Sequence, residues 1–462
     1  MFVSSPVIFI NPPGPANLYR SMVCAFVSKA KYIWQPHDFI NLSAQIPAEY
    51  KLRLIDCSIN NYEADYVFDE IGISHPGLCV AAISSILFNE DLIFLKKLKS
   101  RFPGLKLLVI GNILLEKYFR KQVLEYADGL ILNSLDVDLC SYIKNGTTNS
   151  KNLILKDGSP GDSGGSNDKV SLKKVSIGIP RHSLFLNKRY RFPFAKSYLY
   201  SAVTTQFGCP FQCAYCSWAK IPVSYRDYTE VLEELKLATS LGIKNIFFTD
   251  PSFGFPKKNA FALAEGIIKI KLGIKWSCYA NPLLLDKEFL SLMKKAGCHT
   301  LITGIDDGDF DMLRQEFNRD VPEAKIIEFC NICHDLGMQV CGDFIIGLNQ
   351  ANDSCQRIIN IAKKLDLDYA SFNIFSILVG SLVREKLIKE CKFSPCGASL
   401  DPSGNSGQID KRLVHLRNLA VRKFYMRPRY LFKRMMKIKS FNEFVIQFEE
   451  MIGLFSKLRN VK

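Results

Sequence analysis

Apolar runs of five to seven residues recur along the chain, separated by stretches in which apolar positions fall three and four residues apart. The first series places strands at Val7–Asn11, Leu52–Cys57, Leu78–Ser84, Leu105–Gly111 and Gly129–Asn133, with amphipathic helices such as Asn89–Arg101 and Leu114–Tyr126 between several of them. That alternation predicts an α/β doubly wound parallel sheet. Asn145 to Asp168, which contains Asp157-Gly-Ser-Pro-Gly-Asp-Ser-Gly-Gly, is too polar to pack and predicts a linker or exposed loop.

A second series follows. Strands are expected near Tyr198–Thr205, Asn245–Asp250, Lys275–Ala280, Thr300–Gly304, Gln339–Ile346 and Tyr369–Ser376. Helices fall at Thr229–Leu241, Lys258–Ile270, Lys287–Ala296, Pro322–Leu336 and Ser354–Leu365. Six strand–helix units predict a partial (β/α)6 barrel of TIM type, which does its chemistry at the carboxyl ends of its strands. The division is then residues 1–144 as a Rossmann-like domain, 145–175 as linker, 176–385 as barrel and 386–462 as a helical, basic C-terminal region.

With 48% hydrophobic and 23% charged residues, the chain has an ordinary globular composition and is not a mostly disordered protein. Met1 to Pro15 lacks a basic leader and a cleavage site, and no apolar run is long enough to span a bilayer, so a soluble cytoplasmic protein is expected. In that compartment the fifteen cysteines are reduced thiols rather than disulfides. The formal charge of +15 is concentrated between Lys411 and Lys439. A solvated helical face is the plain explanation; a surface for an anionic substrate, a carrier protein or a membrane headgroup is the sharper one. No nucleic-acid recognition module is recognisable.

Most cysteines, Cys24, Cys79, Cys298 and Cys341 among them, sit in apolar stretches where the residue acts as a small hydrophobe. One cluster differs. Gln206-Phe-Gly-Cys-Pro-Phe-Gln-Cys-Ala-Tyr-Cys-Ser-Trp218 follows the first barrel strand, where catalytic loops stand. Thiolates spaced by three and then two residues, with Gly208 and Pro210 suited to a tight loop, can wrap one face of an iron–sulfur cubane and leave its fourth iron open. A zinc knuckle is the competing assignment, but it would want a fourth nearby ligand, and His182 and His299 are distant in sequence. Cys330-Asn-Ile-Cys333 has the spacing of a redox pair but lies within a helical pattern and is expected to face the core, and Cys391 and Cys396 are assigned no role.

Cys-x-x-x-Cys-x-aromatic-Cys resembles the signature of the radical S-adenosylmethionine (SAM) superfamily. The resemblance implies that Cys209, Cys213 and Cys216 ligate a [4Fe-4S] cluster, that SAM binds its open iron and is cleaved to a 5′-deoxyadenosyl radical, and that Tyr215 lies against the adenine. Phe247-Phe-Thr-Asp250 is similar to the strand end that helps hold the methionine amino group, and Gly304-Ile-Asp306 stands where many relatives have Gly-Ile-Glu, implying a ribose or amino contact for Asp306. For Asp250 and Asp306 a helix N-cap is the alternative. Gly347-Leu-Asn-Gln350 and Leu378-Val-Gly-Ser381 depart from the family's Gly-Leu-Pro-Gly and Pro-Gly-Thr.

The N-terminal domain, the linker and Lys423-Phe-Tyr-Met-Arg-Pro-Arg429 look like the subgroup with a cobalamin-binding domain before the barrel, which includes methyltransferases and the anaerobic magnesium-protoporphyrin ester cyclase. This resemblance implies a SAM-cleaving enzyme, cobalamin-dependent methyl transfer to an unactivated carbon, a small-molecule or carrier-bound substrate and an external flavodoxin- or ferredoxin-type reductase. A radical oxidoreductase or cyclase without methyl transfer, and a non-catalytic iron–sulfur electron carrier, are the alternatives. The corrin would lie on the loops after Ser84, Gly111 and Asn133. Here Asp56-Cys-Ser-Ile replaces the Asp-x-His-x-x-Gly that supplies an axial histidine, and Gly111-Asn112 and Asn133-Ser134 replace Gly-Gly and Gly-Glu.

Overall fold

The computed structural model describes residues 5–15, 17–22, 24–28, 32–156, 172–197, 199–349, 353–397, 410–438 and 441–459. Tyr198, the Asp157–Gly165 run, Gln350 and Lys439 lie outside the described residues. Two six-stranded sheets carry the architecture.

The first sheet has the spatial order Leu52–Asp56, Val7–Asn11, Leu78–Ile83, Lys106–Gly111, Gly129–Ile131, Leu153–Leu155, parallel except for the last strand. Val7–Asn11 and Leu78–Ile83 are buried at every position, because helices cover both faces; the one polar side chain, Asn11, is satisfied by Asp56 and Arg20. The five parallel strands follow the doubly wound order 2-1-3-4-5, whose direction reverses between Val7–Asn11 and Leu78–Ile83. Two features were not anticipated. A hairpin of Leu18–Arg20 and Ala25–Val27 precedes the helix His37–Ala44, and both elements sit at the barrel side of the sheet. The stretch read as linker is also ordered at its two ends: Leu153–Leu155 joins the first sheet, and Leu172–Val175 pairs with Val223–Arg226. Strands of three and four residues beside a polar run leave too little pattern to detect.

The second sheet is parallel and in sequence order: Tyr200–Val203, Asn245–Phe253, Lys275–Ala280, Cys298–Asp306, Gln339–Ile346 and Tyr369–Ile374. It is the expected open six-stranded barrel. Helices Tyr228–Ser240, Lys257–Lys269, Lys287–Lys295, Glu323–Asp335 and Ser354–Lys364 cover its outside. Trp276 is fully buried beneath them and donates its indole N–H to the Ala296 carbonyl at 2.8 Å, which satisfies the one polar atom of a large apolar side chain. Cys330 and Cys333 belong to the same apolar core, as their helical position implied.

Helices Lys411–Tyr425, Pro428–Lys437 and Phe441–Arg459 complete the chain. No described helix is long and apolar enough to cross a membrane.

A buried ionic group ties the turn His182–Phe185, which precedes the first barrel strand, to the barrel. Glu234 accepts from Arg226 at 2.5 Å and contacts His182 Nε2 at 2.8 Å, while His182 Nδ1 meets the Ser201 hydroxyl at 2.6 Å. Removing the carboxylate would leave the buried guanidinium with Glu230, at 2.8 Å, as its remaining ionic partner and the His182 ring with only the Ser201 hydroxyl among the described residues. Glu234→Ala is expected to cost about 3–5 kcal/mol, measured as a lowered urea midpoint of the barrel, with Glu234→Gln falling between the two.

Candidate functional site

The cysteine loop leaves the barrel from a clamped base. Gln206–Phe207 pairs antiparallel with Ser224–Tyr225, so residues 208–222 form a closed excursion. Gly208 adopts φ +88°, and a Cβ there would lie 2.2 Å from the Pro222 carbonyl oxygen, so only glycine fits. The Gln206 side chain donates to the Gly208 carbonyl at 2.8 Å. From the far side, Ala214 N–H donates to the Phe317 carbonyl at 2.8 Å, Val383 N–H to the Ala214 carbonyl at 2.9 Å, and Asn318 Nδ2 to the Gln212 carbonyl at 3.0 Å. The loop is thus held by the fourth barrel unit and by the chain after the sixth strand.

Asp250, at the end of the second strand, is 1% exposed and accepts the backbone N–H of Thr205 at 2.7 Å and of Gln206 at 3.0 Å, as well as the Thr205 hydroxyl. The carboxylate fixes the root of the cysteine loop. It caps no helix, since the following helix starts after Pro256.

Cys209, Cys213 and Cys216 are half-buried free thiols that interact electrostatically with one another. Burial pushes Cys209 up to about 11 and raises Cys213 and Cys216 as well, while Arg319 offsets part of this at the first two. Among the described residues no three His, Cys, Asp or Glu side chains converge on a point that one metal ion could occupy. Ligands of a single zinc would lie on one shell about 2.3 Å in radius, but the sulfurs that hold a cubane bind separate irons and need no such convergence.

A second group meets the loop from the fourth strand. Asp306, 6% exposed, has φ +66°, a left-handed conformation that costs energy for any residue other than glycine. Its carboxylate accepts from Arg319 Nε at 2.9 Å, and Arg319 also donates to the Gly304 carbonyl at 2.6 Å. The Tyr215 phenol and the Cys213 thiol both lie within electrostatic reach of the same carboxylate and of each other. Burial raises the Tyr215 pKa, and Asp306 and Cys213 push it further. The Tyr215 ring lies 5.8 Å from that of Phe317. Burial alone would lower Arg319, but Asp306, Tyr215 and Cys213 outweigh it and hold the guanidinium charged. Asp306 is not a helix cap either; Asp309 does that for Phe310–Phe317. Sequence reasoning missed Arg319, whose only signal is its place just after a left-handed helix end at Asn318.

On the last two strands, Asp343, Ile345, Tyr369, Ser371 and Asn373 are half-exposed, while their neighbours facing the helices are buried. With Tyr279, also half-exposed, they face the lumen of the barrel. The N-terminal domain closes one side of it. Asn41 Nδ2 bridges Ser134 Oγ at 3.1 Å and Thr204 Oγ1 at 3.2 Å, and Arg384 pairs with Glu116 at 2.7 Å.

Residues 203–362 match the sequence model of the Radical SAM superfamily. The barrel is a radical SAM domain. An uncharacterized methyltransferase from Pyrococcus horikoshii is 29% identical over 271 residues, 56% of this chain and 57% of that protein. The anaerobic magnesium-protoporphyrin IX monomethyl ester cyclase of Rubrivivax gelatinosus is 25% identical over 201 residues, 41% of this chain and 34% of that one. The chain thus spans little more than half the length of the first relative and a third of the second. The radical SAM methyltransferase TsrM from Kitasatospora setae, solved with cobalamin and a [4Fe-4S] cluster, superposes with a TM-score of 0.65 at 15% identity, over 85% of this chain and 80% of its own. This shared fold covers the N-terminal sheet as well as the radical SAM barrel.

The cluster side fits its group; the corrin side does not. The switch point between Val7–Asn11 and Leu78–Ile83, where this fold seats a ligand, holds the Arg20 side chain. Arg20 pairs with Asp91 at 2.7 Å and donates to Asn11 Oδ1 at 2.9 Å and to the Pro12 and Pro13 carbonyls. Ser84, Ser85, Asn112 and Ser134 at the strand ends are 0%, 1%, 3% and 0% exposed. The cavity between Arg20, Asp38 and Ile110 is about 10 Å³, against several hundred for a cofactor of this size (roughly 300–1,000 Å³ for ligand pockets). Asp56, at the position of the axial-ligand motif, is occupied by Asn11, Tyr190 and the Ile59 N–H. Gly111 is required by the sheet, since a Cβ there would meet the Ile83 carbonyl at 2.0 Å.

Two outcomes test the loop. Gly208→Ala is expected to leave the far-UV spectrum unchanged and reduce iron and sulfide retained after anaerobic reconstitution at least severalfold. Burial raises Asp250 from 3.8 to about 6. An acid whose folded pKa exceeds its unfolded one opposes folding as it ionises, so its contribution falls from about pH 4 to about pH 6 and is constant above. Melting curves across that window should show a steeper decline for the native chain than for Asp250→Asn.

Proposed function

We propose that the protein is a radical SAM enzyme whose cysteine loop holds a [4Fe-4S] cluster through Cys209, Cys213 and Cys216, leaving one iron for SAM. The observation that carries this reading is the clamped three-cysteine loop, whose Cys213 and Tyr215 interact electrostatically with the buried Asp306–Arg319 pair. When bound, the cluster supplies the electron that splits SAM reductively into methionine and a 5′-deoxyadenosyl radical.

The chain's own residues do the rest. Asp250 and Gly208 fix the loop. Tyr215, beside Phe317, offers the adenine an aromatic wall. Arg319 offers a charged donor to the SAM carboxylate, and Asp306 an acceptor to its amino group or ribose. The half-exposed Tyr279, Asp343, Ser371 and Asn373 take a small-molecule or carrier-bound substrate, and the N-terminal domain excludes water over the lumen. The electron comes from an external flavodoxin- or ferredoxin-type reductase.

The methyltransferase relatives support methyl transfer with cobalamin as the reaction of this subgroup. A specific observation favours a second reading, radical chemistry without methyl transfer: Arg20 and the buried strand ends leave no seat for a corrin in the present arrangement. One experiment addresses both. Anaerobically reconstituted protein, reduced with dithionite, is expected to release 5′-deoxyadenosine from SAM, and Cys213→Ala is expected to lose both the cluster absorbance and this product. Intact SAM with a full cluster would leave only an electron carrier. Corrin in the purified protein and label transferred from methyl-labelled methionine would decide for methyl transfer; deoxyadenosine without either decides for the second reading.

A further inference from the structure

Pro428–Lys437 is an amphipathic helix turned inside out. Its buried anchor is Tyr430, whose hydroxyl donates to the Asp368 carbonyl at 2.9 Å. Its cationic side also faces the protein: Lys433 reaches Asp366 at 2.6 Å, Lys437 pairs with Asp368, and Arg434 lies 4.2 Å over the Tyr369 ring and donates to Gln447 at 2.8 Å. The apolar residues point outward. Leu431, Phe432, Met435 and Met436 are 43%, 69%, 71% and 72% exposed and span an arc of roughly 140° at 100° per residue. On the adjoining helix, reached through the Arg434–Gln447 bond, Phe444 and Phe448 are 47% and 46% exposed and stack on each other at 5.9 Å. Among the described residues, nine of nineteen exposed large apolar side chains fall between 426 and 452. That concentration marks a surface built to be covered.

Charge decides the occupant. Residues 411–439 contain eleven Lys and Arg and no Asp or Glu, and of these Lys411, Arg412, Arg422, Lys423 and Arg429 are exposed. A second copy docked symmetrically would face this run with its own, and like charges would oppose the contact. An anionic bilayer meets both features, since its acyl boundary accepts the apolar arc while its headgroups meet the exposed Arg422, Lys423 and Arg429 at the rim. We propose that this two-helix face docks the protein on the surface of an anionic membrane as a peripheral, non-spanning contact. The docking is independent of the radical chemistry.

The test uses the full-length protein and sedimentation with vesicles of phosphatidylcholine alone or mixed with phosphatidylglycerol. The native chain is expected to pellet with the mixed vesicles only, less so as salt rises. The double variant Phe432→Ser/Met436→Ser is expected to bind roughly tenfold or more weakly, at unchanged melting temperature, and Arg422→Gln/Lys423→Gln/Arg429→Gln to lose the preference for anionic lipid. Native protein left in the supernatant with mixed vesicles, or equal binding by the double variant, overturns the proposal. So does a native dimer in sedimentation velocity that the double variant converts to monomer.

Discussion

The contact on which the rest of the site depends is the bond between Asp250 and the backbone of Thr205 and Gln206. A six-stranded open barrel has no closing strand to fix where its first strand ends, and a loop that must present three sulfurs needs that point fixed. The carboxylate spans two neighbouring strands and satisfies two N–H groups that would otherwise be buried without partners. From there Gly208 turns the chain under the Pro222 carbonyl, and the Phe317 and Val383 backbones hold the loop's far side. Asp250, which the resemblance implies helps hold the methionine amino group, holds the root of the loop in this structure.

Much of this was legible in the residues, for a physical reason. Parallel strands covered on both faces must be apolar almost throughout, so runs such as Leu78–Ile83 and Lys106–Gly111 are conspicuous. The cysteine spacing is equally local. What escaped notice depends on distance: Arg319 joins Asp306 across 13 residues, and Arg20 joins Asp91 across 71. Neither has a sequence periodicity. The hairpin Leu18–Arg20/Ala25–Val27 is too short for a pattern, yet it brings Arg20 to the switch point.

The strand ends of the first sheet show how a fold can persist while its ligand chemistry changes. Asn112 exchanges hydrogen bonds with Ser85 at 2.9 and 2.8 Å, and Ser134 donates to Asp38 at 2.7 Å. Asn112 thus fills and satisfies a position where the related pattern has glycine, which would leave backbone open to a cofactor. A corrin would have to break the Arg20–Asp91 pair, and parting two charges that are each 1% exposed costs several kcal/mol. The overall fold therefore argues for the subgroup, and the side chains argue for a closed domain within it.

The open barrel also explains why the C-terminal helices are part of the site. Between its first and last strands the lumen lacks a wall, and the chain supplies one from elsewhere. Arg434 covers Tyr369, Tyr425 bonds both the N–H and the carbonyl of Ala370, and Glu449 pairs with Arg191. The helices that present apolar residues outward thus grip, with their polar sides, the strand that lines the lumen. A cationic inner face paired to Asp366 and Asp368 fixes the orientation of Pro428–Lys437, because rolling the helix to bury Phe432 and Met436 would break those pairs. The exposed apolar arc is therefore a consequence of how the barrel is closed, and any surface that covers it bears on the same helices that wall the lumen.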